Sequence, residues 1–188
     1  MKTLRKTAEE AYLKYANKII NRETWIDGFI SGIQDKKEYP QSIELCGLLW
    51  DTENLAIGGY EKDGHHYYTW QEAMDAAKAV GKRLPTREEW KALCDLGSTW
   101  DDERKGRWFG GNHNSDHKGS LFLPAAGLRG YNSGELAYAS SYGYYWSSSP
   151  NYGGSNYAGS LYFYSGAVAP LNNSNRAFGF SVRCVQNK

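Results

Sequence analysis

Few side chains in this sequence are spaced for chemistry, and those that are point to recognition rather than to turnover. Cys46, Cys94 and Cys184 are too few and too scattered for a disulfide framework or a zinc site. They read as buried or half-buried free thiols, with a Cys94–Cys184 bridge left open. His113, Asp116 and His117 are metal-ligand types, but the surrounding Gly/Asn/Ser run reads as a turn-rich loop. Asp101-Asp102-Glu103 reads as loop acid, and Glu88-Glu89 as a helix N-terminus, where negative charge is favoured by the backbone dipoles. GxSxG, HExxH and P-loop patterns are absent. The informative residues are aromatic. In Leu161-Tyr162-Phe163-Tyr164, strand alternation puts Leu161 and Phe163 on one face and Tyr162 and Tyr164 on the other. Outward tyrosines offer a large apolar body with a polar tip, and nearby Ser, Gly and Asn supply adaptable hydrogen bonds, as in antibody paratopes.

The elements that must position these residues follow from punctuation. Residues 7–34 read as helix, opened by a Thr7/Glu10 capping box and restarting at Thr24 with Trp25, Ile26, Phe29, Ile30 and Ile33 on one face. Pro40 opposes continuation, which sets a boundary there and gives a helical segment over 1–40 and a domain over 41–188. Residues 43–50 and 55–60 read as strands, with a turn at Lys62-Asp63-Gly64 leading to Tyr67-Tyr68. Thr69-Trp70-Gln71-Glu72 and Thr86-Arg87-Glu88-Glu89 are capping boxes for two helices stopped by Gly81 and Gly97. Met74, Ala77 and Val80 face inward on the first, and Trp90, Leu93 and Cys94 on the second. Residues 98–120 read as loop. Short strands with Gly/Asn/Ser turns follow, up to a period-two strand from Phe180 to Val185. Strands, two helices, then many strands make an α+β pattern.

Composition narrows the classes. The chain has 188 residues, a net charge of +1, and 15 Tyr and 7 Trp beside 21 Gly. No global basic field points to nucleic acid, and no eighteen-residue apolar run points to membrane insertion. The basic start, Met1 to Thr7, meets Ala8-Glu9-Glu10 rather than an apolar region. No signal peptide is therefore expected, and the chain is expected to be made in the cytoplasm and then virion-associated or surface-displayed.

Four segments carry a family resemblance over residues 43–186. Arg83-Leu84-Pro85-Thr86-Arg87-Glu88-Glu89-Trp90 resembles the second-helix signature of formylglycine-generating-enzyme-type and related C-type-lectin-like domains. Residues Leu121 to Gly130, Gly143-Tyr144-Tyr145-Trp146-Ser147-Ser148-Ser149, and Asn175 to Arg183 resemble the Fibrobacter succinogenes major paralogous domain family. The resemblance implies a C-type-lectin-like fold, two helices against small antiparallel sheets with long loops. Lectins of that type bind sugars through calcium with Glu-Pro-Asn or Gln-Pro-Asp and Trp-Asn-Asp. This chain has Ser-Pro-Asn at 149–151 and no Trp-Asn-Asp, so that mechanism is not carried over.

A second resemblance is to the variable proteins of diversity-generating retroelements, phage or Bacteroides in type, whose C-terminal repeat is mutated at adenines. Against an Asn-rich template, the Tyr, Gly, Ser, Ala, Leu and Phe of 150–178 are the expected products, and no Lys, Glu or Gln occurs from 147 to 182. This implies a variable region over 147–183. Its candidate ligand-binding residues are Asn151, Tyr152, Gly153, Gly154, Asn156, Tyr157, Gly159, Ser160, Tyr162, Tyr164, Gly166, Ala167, Ala169, Leu171, Ser174, Ala177 and Phe178. The function implied is a receptor-binding protein for a protein or glycan on a cell surface, with no cofactor and no metal, attached to a phage or surface assembly through residues 1–40. The alternatives are a non-diversified adhesin-type surface protein and, behind it, a formylglycine-generating-type oxidase.

Overall fold

The computed structural model describes residues 42–111, 117–151 and 156–188. The expected helical segment over 1–40 lies outside the described residues, as do Asn112, His113, Asn114, Ser115, Asp116 and the site candidates Tyr152, Gly153 and Gly154.

Ser42–Leu45 (β1) and Leu48–Asp51 (β2) form a hairpin, because Cys46 and Gly47 both take positive φ, 53° and 75°, as a twisted two-residue turn requires. Tyr60–Lys62 (β3) and His65–Tyr67 (β4) repeat the device with Asp63 and Gly64 at 53° and 77°. Residues 55–59, expected as strand, are irregular; the Tyr68 hydroxyl accepts from Ile57 N–H and so takes the place of a neighbouring strand.

Both capping boxes form. Thr69 N–H donates to Glu72 Oε2 at 2.8 Å, opening helix α1 (Trp70–Ala79). Thr86 N–H donates to Glu89 Oε2 at 2.8 Å while Glu89 N–H donates to Thr86 Oγ1 at 3.2 Å, opening α2 (Arg87–Asp95). Gly81 and Gly97, at φ 74° and 87°, turn the chain out of each helix. Ala73, Ala76 and Ala77 are the buried face of α1, with Met74 and Val80 only half-buried, while Trp90 and Leu93 are buried on α2.

After α2 the described residues form strands, turns and irregular segments, with no further helix. Ser98–Asp101 (β5), Gly106–Phe109 (β6) and Leu121–Pro124 (β7) form one sheet, and Leu128–Arg129 (β8) pairs with Leu136–Ala137 (β9). Tyr142–Pro150 (β10), Tyr157–Tyr164 (β11) and Ala167–Asn175 (β12) form the long sheet in the order β10-β11-β12, and Val185–Asn187 (β13) returns to pair with β2.

Three expectations are corrected here. The segment over 98–120, read as loop, contains β5 and β6. Asp101 Oδ1 accepts from the N–H groups of Glu103 and Arg104, so the acidic run is a tight hairpin turn. The α+β, C-type-lectin-like expectation is overturned as well. The described chain is mainly β, with thirteen strands in five small sheets and only two short helices. The capping signals were genuine but local, and they start helices of only 10 and 9 residues. From Phe180 to Cys184 the chain is buried on both faces and holds only isolated bridges, so period-two alternation there did not mark a half-exposed strand.

The core has two parts, and β10 belongs to both. Trp50, Trp90, Leu93, Phe109, Leu121, Leu123, Tyr145, Leu161 and Phe163 form one; Tyr68, the buried alanines of α1, Leu84, Trp146, Ala158, Phe180 and Val182 form the other. Between them Arg183 is fully buried, donating through Nη1 to the Asp51 carbonyl at 2.8 Å and through Nη2 to Asn54 Oδ1 at 2.7 Å. Burial holds its pKa below the ordinary guanidinium value.

Candidate functional site: an open tyrosine face

Because side chains alternate across a strand, the β10–β12 sheet has two differently occupied faces. Tyr145, Leu161 and Phe163 enter the first core. The opposite face carries Tyr142, Tyr144 and Trp146 on β10 and Ala158, Ser160, Tyr162 and Tyr164 on β11. At one end this face is covered, with Ala158 and Trp146 inside the second core. At the other end the tyrosines come to the surface.

Register aligns them: Tyr142 lies opposite Tyr164, and Tyr144 opposite Tyr162. Their rings touch in a compact group. Tyr142 stacks on Tyr162 at 5.7 Å and 14°, and Tyr144 lies 5.2 Å from Tyr162. Tyr138 meets Tyr142 edge-on at 5.2 Å. The group runs on through Phe180, 5.1 Å from Tyr144, to Phe178 at 5.7 Å and Tyr131 at 4.8 Å. Tyr138, Tyr131 and Tyr164 are 57%, 48% and 36% exposed. On β12 the partners of Tyr164 and Tyr162 are only Ala167 and Ala169, so a low shelf runs beside the rings.

The backing is built for this. Gly143 faces Phe163 across the ladder, and a Cβ there would sit 2.1 Å from the Phe163 ring, so only glycine lets the ring lie flat under the sheet. Arg107, on β6, holds the β11–β12 turn. Its Nε donates to the Tyr164 carbonyl at 3.0 Å, Nη2 to the Ser165 carbonyl at 2.9 Å and Nη1 to Ser98 Oγ at 2.6 Å. Burial pushes its pKa down. Between Ser160 and Tyr162 the β11–β12 register shifts by one, leaving an extra residue in β12 at Pro170–Leu171, where a missing N–H is tolerated. Arg87 fastens that bulge, donating to the Leu171 carbonyl and to Asn173 Oδ1.

Burial, then the hydroxyls of Tyr162, Tyr138 and Tyr142, push the Tyr144 phenol up to about 12. Tyr162 is raised too, by burial and then by Tyr142 and Tyr164. Tyr144 and Tyr162 therefore stay neutral across the physiological range. No charged residue occurs between Glu135 and Arg176.

The expected site residues do not form one surface. Tyr162, Tyr164, Gly166, Ala167, Ala169 and Phe178 belong to the tyrosine face or its rim. Tyr157 and Asn156 are exposed at the far end of β11, about 17 Å from Tyr162 by strand rise. Arg176 holds them there, donating from Nε to the Tyr157 carbonyl at 3.0 Å and from its own N–H to the Asn156 carbonyl at 2.9 Å. Asn151 lies with them, its N–H donating to the Tyr157 carbonyl, and Ala177 is exposed beside Arg176. Leu171 stands out on the bulge. Three candidates are corrected to the interior. Gly159 is buried against Arg87, and Ser160 and Ser174 are buried with their hydroxyls 3.0 Å apart. Reading from sequence missed Tyr131, Tyr138, Tyr142 and Tyr144. Tyr142-Gly143-Tyr144 alternates as Tyr162-Phe163-Tyr164 does, and that signal would have found two of them.

The thiols are free: Cys46 is exposed, against the buried or half-buried expectation, Cys94 is half-buried and Cys184 buried. Burial pushes Cys94 and Cys184 up to about 12. His117 stacks on Trp108 at 4.3 Å and 4°. Among the described residues, no helix is long and apolar enough to cross a membrane.

Residues 95–185 match the model of a family described as a domain of unknown function (DUF8237). That span includes every strand of the tyrosine sheet. No curated protein and no solved structure matches the chain.

Proposed function

We propose that this chain is a binding module that grips a cell-surface partner with the open aromatic end of β10–β12. The observation that carries the reading is the cross-strand group of Tyr142, Tyr144, Tyr162 and Tyr164, rings in contact and backed by a rigid core. Exposed aromatic clusters of this kind are costly to leave in water and are typical of recognition surfaces. A binder is favoured over an oxidase because Cys184 lies inside the second core and Cys94 packs against the first, leaving Cys46 as the one exposed thiol among the described residues. Residues 1–40 would then serve to attach the module to a phage or surface assembly.

The composition of 150–178 also supports diversification of the segment by a retroelement. Such variation would change Tyr162 and Tyr164 while leaving Tyr142 and Tyr144 fixed, giving a half-constant, half-variable face. A near-copy of the 3′ end of the gene beside a reverse transcriptase, differing at template adenines, is the check; without it the adhesin reading stands. For binding itself, the labelled full chain is applied to intact bacterial cells and a glycan array beside a Tyr162→Ser/Tyr164→Ser variant. Loss of signal in the variant is expected. Equal signal from a folded variant would reject the face as the binding surface.

A further inference from the structure

Resting on that reading, we infer that the occupant of the tyrosine face is an uncharged polysaccharide chain lying along the aromatic strip. The strip is elongated: Tyr164 and Tyr142 lead to Tyr162 and Tyr144, and the buried Phe180 beneath links these to Phe178 and Tyr131 at the rim, each step between 4.8 and 6.0 Å. A single small ligand would use one or two of these rings; a chain of sugar rings can span from the tyrosine group, over the buried Phe180, to Phe178 and Tyr131 at the rim. Pyranose C–H faces are apolar and lie on aromatic carbon, while their hydroxyls need polar partners at the ring tips. The tyrosines supply both. Tyr138 and Tyr164, 57% and 36% exposed, present their tips at the surface.

Charge selects among ligand classes. The stretch between Glu135 and Arg176 carries no charged side chain of its own, and the guanidiniums that reach the sheet, Arg107, Arg87 and Arg176, are engaged with its carbonyls and with Asn173 Oδ1, so the tyrosine face favours an uncharged chain over a sulfated or uronic one or nucleic acid. A protein partner would ordinarily meet a polar and charged rim around the apolar centre. A polyproline peptide inserts its rings between aromatic ridges, and the tyrosines here are in mutual contact with no slot between them.

The test is affinity electrophoresis of the full chain in gels carrying galactomannan, xyloglucan, mixed-linkage glucan or arabinoxylan, with alginate, chondroitin sulfate and a proline-rich peptide as comparisons. Retardation by at least one neutral polysaccharide is expected, with less than about a twofold change between low and high salt. Tyr162→Ala and Tyr142→Ala should each weaken it roughly tenfold, the worth of one aromatic contact. Binding of a charged polymer or the peptide alone, lost in the tyrosine variants, would overturn this inference and leave the binding reading standing. Retention unchanged by those variants would overturn both. Failure of every neutral polysaccharide, or protection of these tyrosines from tetranitromethane in the unliganded full chain, would overturn the inference, the latter because the chain would cover its own face.

Discussion

Phe163 and its neighbours Tyr162 and Tyr164 leave the same strand in opposite directions, and mutation should separate them. Phe163→Ala removes a ring wedged between Phe109 and Tyr145 and should cost about 3–5 kcal/mol in denaturant unfolding. Tyr164→Ala removes a partly exposed ring at the edge of the group and should cost only about 1 kcal/mol; a loss as large as that of Phe163→Ala would mean the ring is structural. Titration offers a second check. Tyr67, Tyr144 and Tyr145 are each pushed by burial from 10.0 to about 12. The folded state therefore holds their protons where the unfolded chain has lost them, and this contribution, complete below pH 10, falls away as pH rises towards 12. Tyrosinate absorbance should show a late-titrating set, with stability declining through the same window. The orientation of Tyr162 and Tyr164 was legible because alternation is a local rule. The burial of Ser160 and Ser174 was not, since a serine carries no hydrophobic signal and its cover comes from distant parts of the chain.

Turns and caps were the legible parts of the elements. Both helix starts stood where a threonine preceded a glutamate by three. The β5–β6 hairpin escaped notice because its turn is acidic and its strands are only four residues each. Equally silent was the demand for glycine at 143, which is set by a ring 20 positions away in sequence. Gly143→Val should destabilise strongly. Combined with Phe163→Ala, the loss should be well below the sum, because the second change removes the group struck by the first; strict additivity would deny the clash. Arg107→Ala should speed amide exchange in the β11–β12 turn, which its guanidinium otherwise holds through two carbonyls.

The described chain closes on itself where β13 pairs with β2 and the Arg83 and Val185 backbones exchange hydrogen bonds. A chain ending at Cys184 loses that closure and uncovers Trp50, and it should unfold less cooperatively in calorimetry; an unchanged transition would show β13 to be dispensable. This long-range pairing, like the division into two cores, could not be read from local periodicity, which says which side of a strand is apolar but not what will cover it. The join between face and core has an optical consequence. Tyr144 stacks on Phe180, which stacks on Trp146 at 4.3 Å, and the Trp146 indole donates to the Tyr68 carbonyl. Light absorbed by the outer phenols has a short route to a buried indole, so a sugar chain settling on the surface should alter tryptophan emission without any added dye.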